Sequence, residues 1–273
     1  MAALWSSIAW SIEWRWVAGL AAIVLLDAVR AVPLGSQLAS RFLFSPWRPG
    51  AEPAAARGVR LLSWCPPLTM AVVVPEAAQT SRALPDRDAL ARWCLALRIG
   101  AGMSLLLLVV GVPLAVGSFG TFGFGASVAL VLVFDVFVMV LAAVALVRLG
   151  APRGRAWRGA APIIGPFTTP RAAEIVVERV LEGATPVAAM RYLLSADSFA
   201  AWVRPRAYDA LHRGVIDAAV AALGREELEA VVAAPPRDAV TGERYCPRCS
   251  VVYQERAESC SACEVPLALS PPR

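Results

Sequence analysis

Residues 99–146 read IGAGMSLLLLVVGVPLAVGSFGTFGFGASVALVLVFDVFVMVLAAVAL and hold one charged side chain, Asp135. Crossing the roughly 30 Å hydrocarbon layer of a bilayer as a helix takes about 20 apolar residues. Two stretches here qualify: Ile99–Val116, without a charge, and Ala126–Leu146, broken only by Asp135. Between them Ser118–Gly125 is mostly glycine and phenylalanine, which predicts a turn at the membrane face. Its glycines mimic a nucleotide loop, but no strand precedes them and no soluble helix follows. Gly100 with Ser104, and Gly111 with Ala115, set small residues four apart, the spacing that lets another helix approach closely. Asp86 and Asp88 suit the start of the helix that enters the membrane through Trp93 and Cys94.

Toward the N-terminus a third span is expected over Trp14–Val32, with an uninterrupted apolar core at Trp16–Leu26. Trp10, Trp14 and Trp16 suit an interfacial belt. Asp27 and Arg30 interrupt its far end at a spacing that allows pairing on one helix face, and Pro33-Leu34-Gly35 marks an exit. No basic residue precedes this run within residues 1–14, which argues against a cleaved signal peptide.

Composition supports a membrane class: 58% of residues are hydrophobic and 17% charged, with mean hydropathy +0.59. All 26 positive charges are arginine. Without lysine, Schiff-base chemistry and a lysine-bearing phosphate loop are excluded. The single histidine, His212, gives triad and HExxH arrangements little to work with. Although the net charge is +5, residues 159–273 carry 12 Arg against 14 Asp plus Glu, so the excess flanks the apolar spans. Eight arginines lie in 34–98, and Arg148, Arg153, Arg155 and Arg158 follow the last span. The 118–125 turn has none. The positive-inside rule then expects an inner-membrane protein with its N-terminus outside and its C-terminal half cytoplasmic.

A carboxylate at mid-membrane is costly and needs a partner. Arg30 is the nearest available cation, so Asp135 and Arg30 are expected to pair and hold helices one and three together. The other reading is a proton or ion site.

The cytoplasmic segments differ in character. Residues 34–98 form a loop rich in Pro, Ala and Arg, whose apolar interval around Pro66-Pro67 reads as two short strands or a surface-lying segment. Cys65 and Cys94 read as buried apolar cysteines. A basic linker, 148–167, leads to a helical region, 168–236. There Thr169-Pro170 and Thr185-Pro186 each supply a capping threonine and a proline suited to the first helical position. Gly183 closes the first helix. Ile175, Val176, Val180 and Leu181 line one apolar face of it, and Val187, Met190, Leu193 and Leu194 do so in the second. Further helices are expected over Pro205–Leu223, ended by Gly224, and Glu226–Ala233.

The tail, 243–269, carries Cys246-Pro-Arg-Cys249 and Cys260-Ser-Ala-Cys263. Each pair can fold into a knuckle that aims two thiolates at one point, and two knuckles complete a tetrahedral cage for Zn2+. Residues 245–267 resemble the short C-terminal zinc ribbons of many bacterial proteins. Those knuckles usually continue with glycine, where this chain has Ser250 and Glu264, which implies a strained turn. Arg244, Arg248 and Arg256 are outnumbered by Glu243, Glu255, Glu258 and Glu264, which disfavours nucleic acid.

The expected protein is mainly α: three transmembrane helices (residues 1–33 containing the first, 99–147 the others), a small cytoplasmic helical region and a four-cysteine zinc ribbon. Its expected role is non-enzymatic, engaging a cytoplasmic protein from the bilayer. The alternative is a homo-oligomeric transporter or ion pathway lined by Asp135, Asp27 and Arg30.

Overall fold

The computed structural model describes residues 29–31, 36–42, 47–49, 60–62, 69–75, 83–165, 168–207, 217, 220, 221, 224–233, 243–248, 251–253 and 257–270. Within these the chain is mainly helical.

Asp86 opens the long helical arm. Its carboxylate accepts from the backbone N–H groups of Asp88 (3.4 Å) and Ala89 (2.9 Å), which α1 (Arg87–Leu106) leaves without intrahelical partners. One π-helical stretch, Leu107–Gly111, joins it to α2, Val112–Arg148. Gly150 ends the arm with φ +90°, a conformation glycine adopts without a side-chain clash. That turn lets Ala151 N–H reach the carbonyl of Leu146 at 2.9 Å.

Arg87–Ala115 and Gly125–Arg148 are each long and apolar enough to cross a membrane. They pack on each other: Ser104 Oγ donates to Asp135 Oδ1 at 2.6 Å, across 31 residues of chain. A straight helix would hold those residues about 46 Å apart at 1.5 Å per residue, so the chain reverses between them. The expected reversal is therefore present, but Ser118–Gly125 lies within helical backbone and is not an open turn. Hydrogen bonds within each helix satisfy the backbone polar groups, as an apolar surround demands.

The first expected span lies almost entirely outside the described residues. Its far end is a strand: β1 (Val29–Ala31) pairs antiparallel with β4 (Arg60–Leu62), Arg30 opposite Leu61. The two ladder partners satisfy each other's backbone, so this end of the expected span is extended and not helical.

Residues 34–98 contain more than a loop. The apolar runs beside Pro66-Pro67 are strands, β4 and β5 (Thr69–Pro75). Strand β5 pairs antiparallel with β2 (Ser36–Phe42) along its whole length, and β3 (Arg48–Pro49) covers the other side of β2. Met70, Val72 and Val74 are buried at alternate positions, the period of one strand face. At the outer side of β5, Ala71 N–H donates to the buried carboxylate of Glu174 at 3.1 Å, so one edge group is occupied.

Glu174 belongs to α4 (Ala172–Leu181). The helices around it are α3 (Arg153–Ala160), inside the expected linker, then α5 (Pro186–Leu193), α6 (Ala196–Ala207) and α7 (Arg225–Ala233). The repeated Thr-Pro openings diverge. Thr185 caps α5 as expected, accepting from Ala188 N–H at 3.3 Å. Thr169 instead donates its hydroxyl to Ile163 C=O at 2.8 Å, and Thr169–Arg171 forms a 3-10 turn before α4. Gly183 and Gly224 take positive φ where helices were expected to close. The expected apolar set of α5 is buried throughout; in α4, Val176, Val180 and Leu181 are buried and Ile175 packs at the margin.

One hydrophobic core joins these parts. It includes Ala39, Val72 and Val74 of the sheet, Leu90 and Leu97 of α1, Val138 and Leu146 of α2, and the inner faces of α3 to α6. Segments 34–98 and 168–236, read separately from the sequence, share this core.

Candidate metal centre

The tail builds its cysteine site from a minimal sheet. Strands β6 (Arg244–Tyr245), β7 (Val252–Tyr253) and β8 (Ala268–Leu269) form antiparallel pairs in the order β7-β6-β8. The same local bond closes both cysteine turns. Cys246 N–H donates to Val251 C=O (2.9 Å) and Cys260 N–H to Val265 C=O (3.0 Å), each reaching five residues ahead. In the second turn Glu264 N–H also returns to Cys260 C=O at 2.8 Å. That closure holds Glu264 at φ 56°, the strained position expected where glycine is usual.

These turns bring the Sγ atoms of Cys246, Cys260 and Cys263 within 4.8 Å of one another. Four sulfurs at 2.3 Å from a tetrahedral zinc are separated by about 3.8 Å, so the donor set and its spacing fit that ion. Cys246 and Cys260 are buried and Cys263 partly so. Cys249, the expected fourth ligand, lies outside the described residues.

Tyr253 was not singled out by the sequence. Its hydroxyl oxygen lies 3.1 Å from Cys260 Sγ and 3.5 Å from Ser261 Oγ. The hydroxyl beside the sulfur favours the thiolate and pulls the Cys260 thiol down to about 6, and the same bond pushes the Tyr253 phenol up. A thiolate at neutral pH is the metal-ligating form. No sequence signal marks this tyrosine, because its contact depends on the β6–β7 register that carries it back over the second turn.

The intramembrane candidates separate. Asp135 is fully buried, with Ser104 on Oδ1 and no hydrogen-bond partner on Oδ2 among the described residues. Oδ1 takes a hydroxyl from the neighbouring helix, and the expected Arg30 pairing involves a side chain outside the described residues. Arg30 sits in β1, where only its backbone is described, and Asp27 lies outside the described residues. Ser104 was legible as a small residue at a helix contact, though not as the carboxyl's partner.

Comparison with known proteins adds no assignment: no protein-family model, curated protein or solved structure matches this chain.

Proposed function

We propose that this is a non-enzymatic membrane protein whose cytoplasmic face, the α/β unit and a zinc ribbon, engages another protein. The convergence of Cys246, Cys260 and Cys263 carries the reading. With Cys249 as the fourth thiolate the zinc shell is closed, leaving no position for a reacting water, so the ion's role is structural. One zinc per chain, lost in Cys246→Ser, is the expected metal content of the purified protein. Zinc-free wild type would sink the ribbon assignment. In a membrane pull-down, Cys→Ser changes in the tail should release the partner; unchanged capture argues against a contact role.

The helix pair supports residence in a bilayer. Ile99 (61% exposed) and Val133 (64%) belong to an outward apolar face of α1 and α2 far larger than a soluble monomer normally leaves open. The N-terminal half of α1 and the C-terminal part of α2 contribute to one core, which favours placing the α/β unit on a single side. The arginine distribution makes that side the cytoplasm of an inner-membrane protein with its N-terminus outside. Cysteine-accessibility labelling of intact cells tests this orientation: labelling of the tail from outside would reverse it.

The partly unpartnered Asp135 favours a second reading, an ion pathway in a homo-oligomer that also uses Asp27 and Arg30. Asp135→Asn abolishing a proton or ion flux while leaving assembly intact supports it; cross-linking that finds only monomer opposes it. The tail's acidic balance disfavours nucleic acid, and absence of salt-dependent binding is the expected result.

A further inference from the structure

A cleft of about 350 Å³ opens where the sheet, the start of α1 and helix α5 meet. Arg41 of β2 and Arg87, the first residue of α1, line it from separate elements. Arg87 Nη2 donates to Leu193 C=O at 2.9 Å, which fixes the guanidinium in place while leaving it further donors. Trp47, buried, and Tyr192, half-buried, supply aromatic walls, and Leu90 supplies apolar surface. Among the described lining residues Asp88 is the one acidic group, and it is exposed, as is Arg87.

Charge behind the cleft points the same way. Arg98 is buried and lies within electrostatic reach of Arg41 and Glu174. Glu174 also accepts from Ala71 N–H and from Arg171 Nε, at 3.1 and 3.4 Å. Among the described residues, Arg41, Arg87 and Arg98 stand around this partly enclosed space with Asp88 and Glu174, and Asp86 lies beside Tyr192; charges there are screened less than in water. One guanidinium suffices for the two coplanar oxygens of a carboxylate, whereas two carried by separate elements suit the oxygens of a tetrahedral phosphate. The cleft has room for an organic portion beside the anion.

Position narrows the source. The exposed apolar face of α1 begins at Leu95, about 12 Å along the helix from Arg87 at 1.5 Å per residue. Headgroup layers extend about 5–8 Å beyond the hydrocarbon, so a long arginine side chain at this level reaches them.

We propose that this cleft binds a phosphate ester of net negative charge, its anionic oxygens held between Arg41 and Arg87 and its organic part against Trp47 and Leu90. An anionic phospholipid headgroup and a soluble phosphate ester share that chemistry. The lipid source rests on the membrane reading above; the soluble source does not.

The test uses the full chain in neutral detergent with three probes: glycerol 3-phosphate, dihexanoyl-phosphatidylglycerol and dihexanoyl-phosphatidylcholine. Saturable binding of at least one anionic probe, at least tenfold tighter than the phosphatidylcholine control, is expected. Phosphatidylglycerol at least tenfold tighter than glycerol phosphate identifies a lipid site; otherwise the site takes soluble phosphate esters. Two variants locate the binding, with circular dichroism confirming their fold. Arg41→Gln combined with Arg87→Gln removes the charge, and Ala91→Phe fills the cleft while leaving both arginines. At least tenfold weakening in each folded variant is expected. Absence of saturable binding to wild type, equal binding of phosphatidylcholine, or retained affinity in either folded variant overturns the proposal.

Discussion

Three side chains carry most of what can be tested locally. Glu264 occupies the left-handed region at φ 56°, where a non-glycine residue is strained by about 1–3 kcal/mol. Glu264→Gly should therefore raise the tail's stability by up to about 1 kcal/mol, the gain offset by the greater freedom of an unfolded glycine. Chelator titration should reach its midpoint at higher chelator concentration in this variant. Tyr253→Phe removes the hydroxyl that holds Cys260 down, so its thiol should titrate above about 6, toward the ordinary value of 9.0. Mass-mapped alkylation of metal-stripped protein across pH reads that shift. The lowered thiol stabilises the folded metal-free tail fully above pH 9, and this contribution falls away as pH drops through about 6. The tail should accordingly unfold more readily at pH 6 than at pH 8. At Ser104, substitution by alanine leaves both Asp135 oxygens without a described partner and should destabilise the helix pair by about 1–3 kcal/mol. Thermal melting in detergent measures this, and an unchanged midpoint would show that Asp135 is satisfied another way.

Helix α1 meets α2 through small residues. A side chain begun at Gly100 would place its Cβ 3.1 Å from Val138 Cγ2, a separation the buried valine must yield to accept. Gly100→Val should therefore push the helices apart and weaken an engineered disulfide or cross-link between them, whereas Gly102→Ala, with open space around it, should not. The small-residue spacing announced this contact. It did not announce the sheet. Strands β2 and β5 are legible as short apolar runs, but their pairing spans a proline-rich stretch and depends on the buried face offered by α4 and α5. The difference between the two Thr-Pro openings has the same origin. Thr169 lies beside the Ile163 carbonyl in the folded chain and bonds there, while Thr185 has the helix end to itself.

Across the molecule, most of the buried apolar residues form one core from Ala39 to Leu228, and Tyr245, Cys246 and Cys260 of the tail are buried outside it. A structural ion contributes on the order of 10–16 kcal/mol in small zinc peptides, so removing the metal should destabilise the tail far more than the helical region and leave the helical circular dichroism nearly intact. Val72→Asp, by contrast, puts an unpaired charge into the shared core and should unfold sheet and small helices together. Separate transitions for the two would show that the core is not common. The sequence by itself determined the apolar helices, their charged and small-residue exceptions, and the paired cysteine turns, because each is written in neighbouring residues or in helical periodicity. Tertiary structure alone decided that residues 34–98 and 168–236 are one unit, that Asp135 meets Ser104, and that Tyr253 returns to Cys260. Those contacts join positions far apart in the chain, and which apolar faces and polar atoms meet is set by packing the whole.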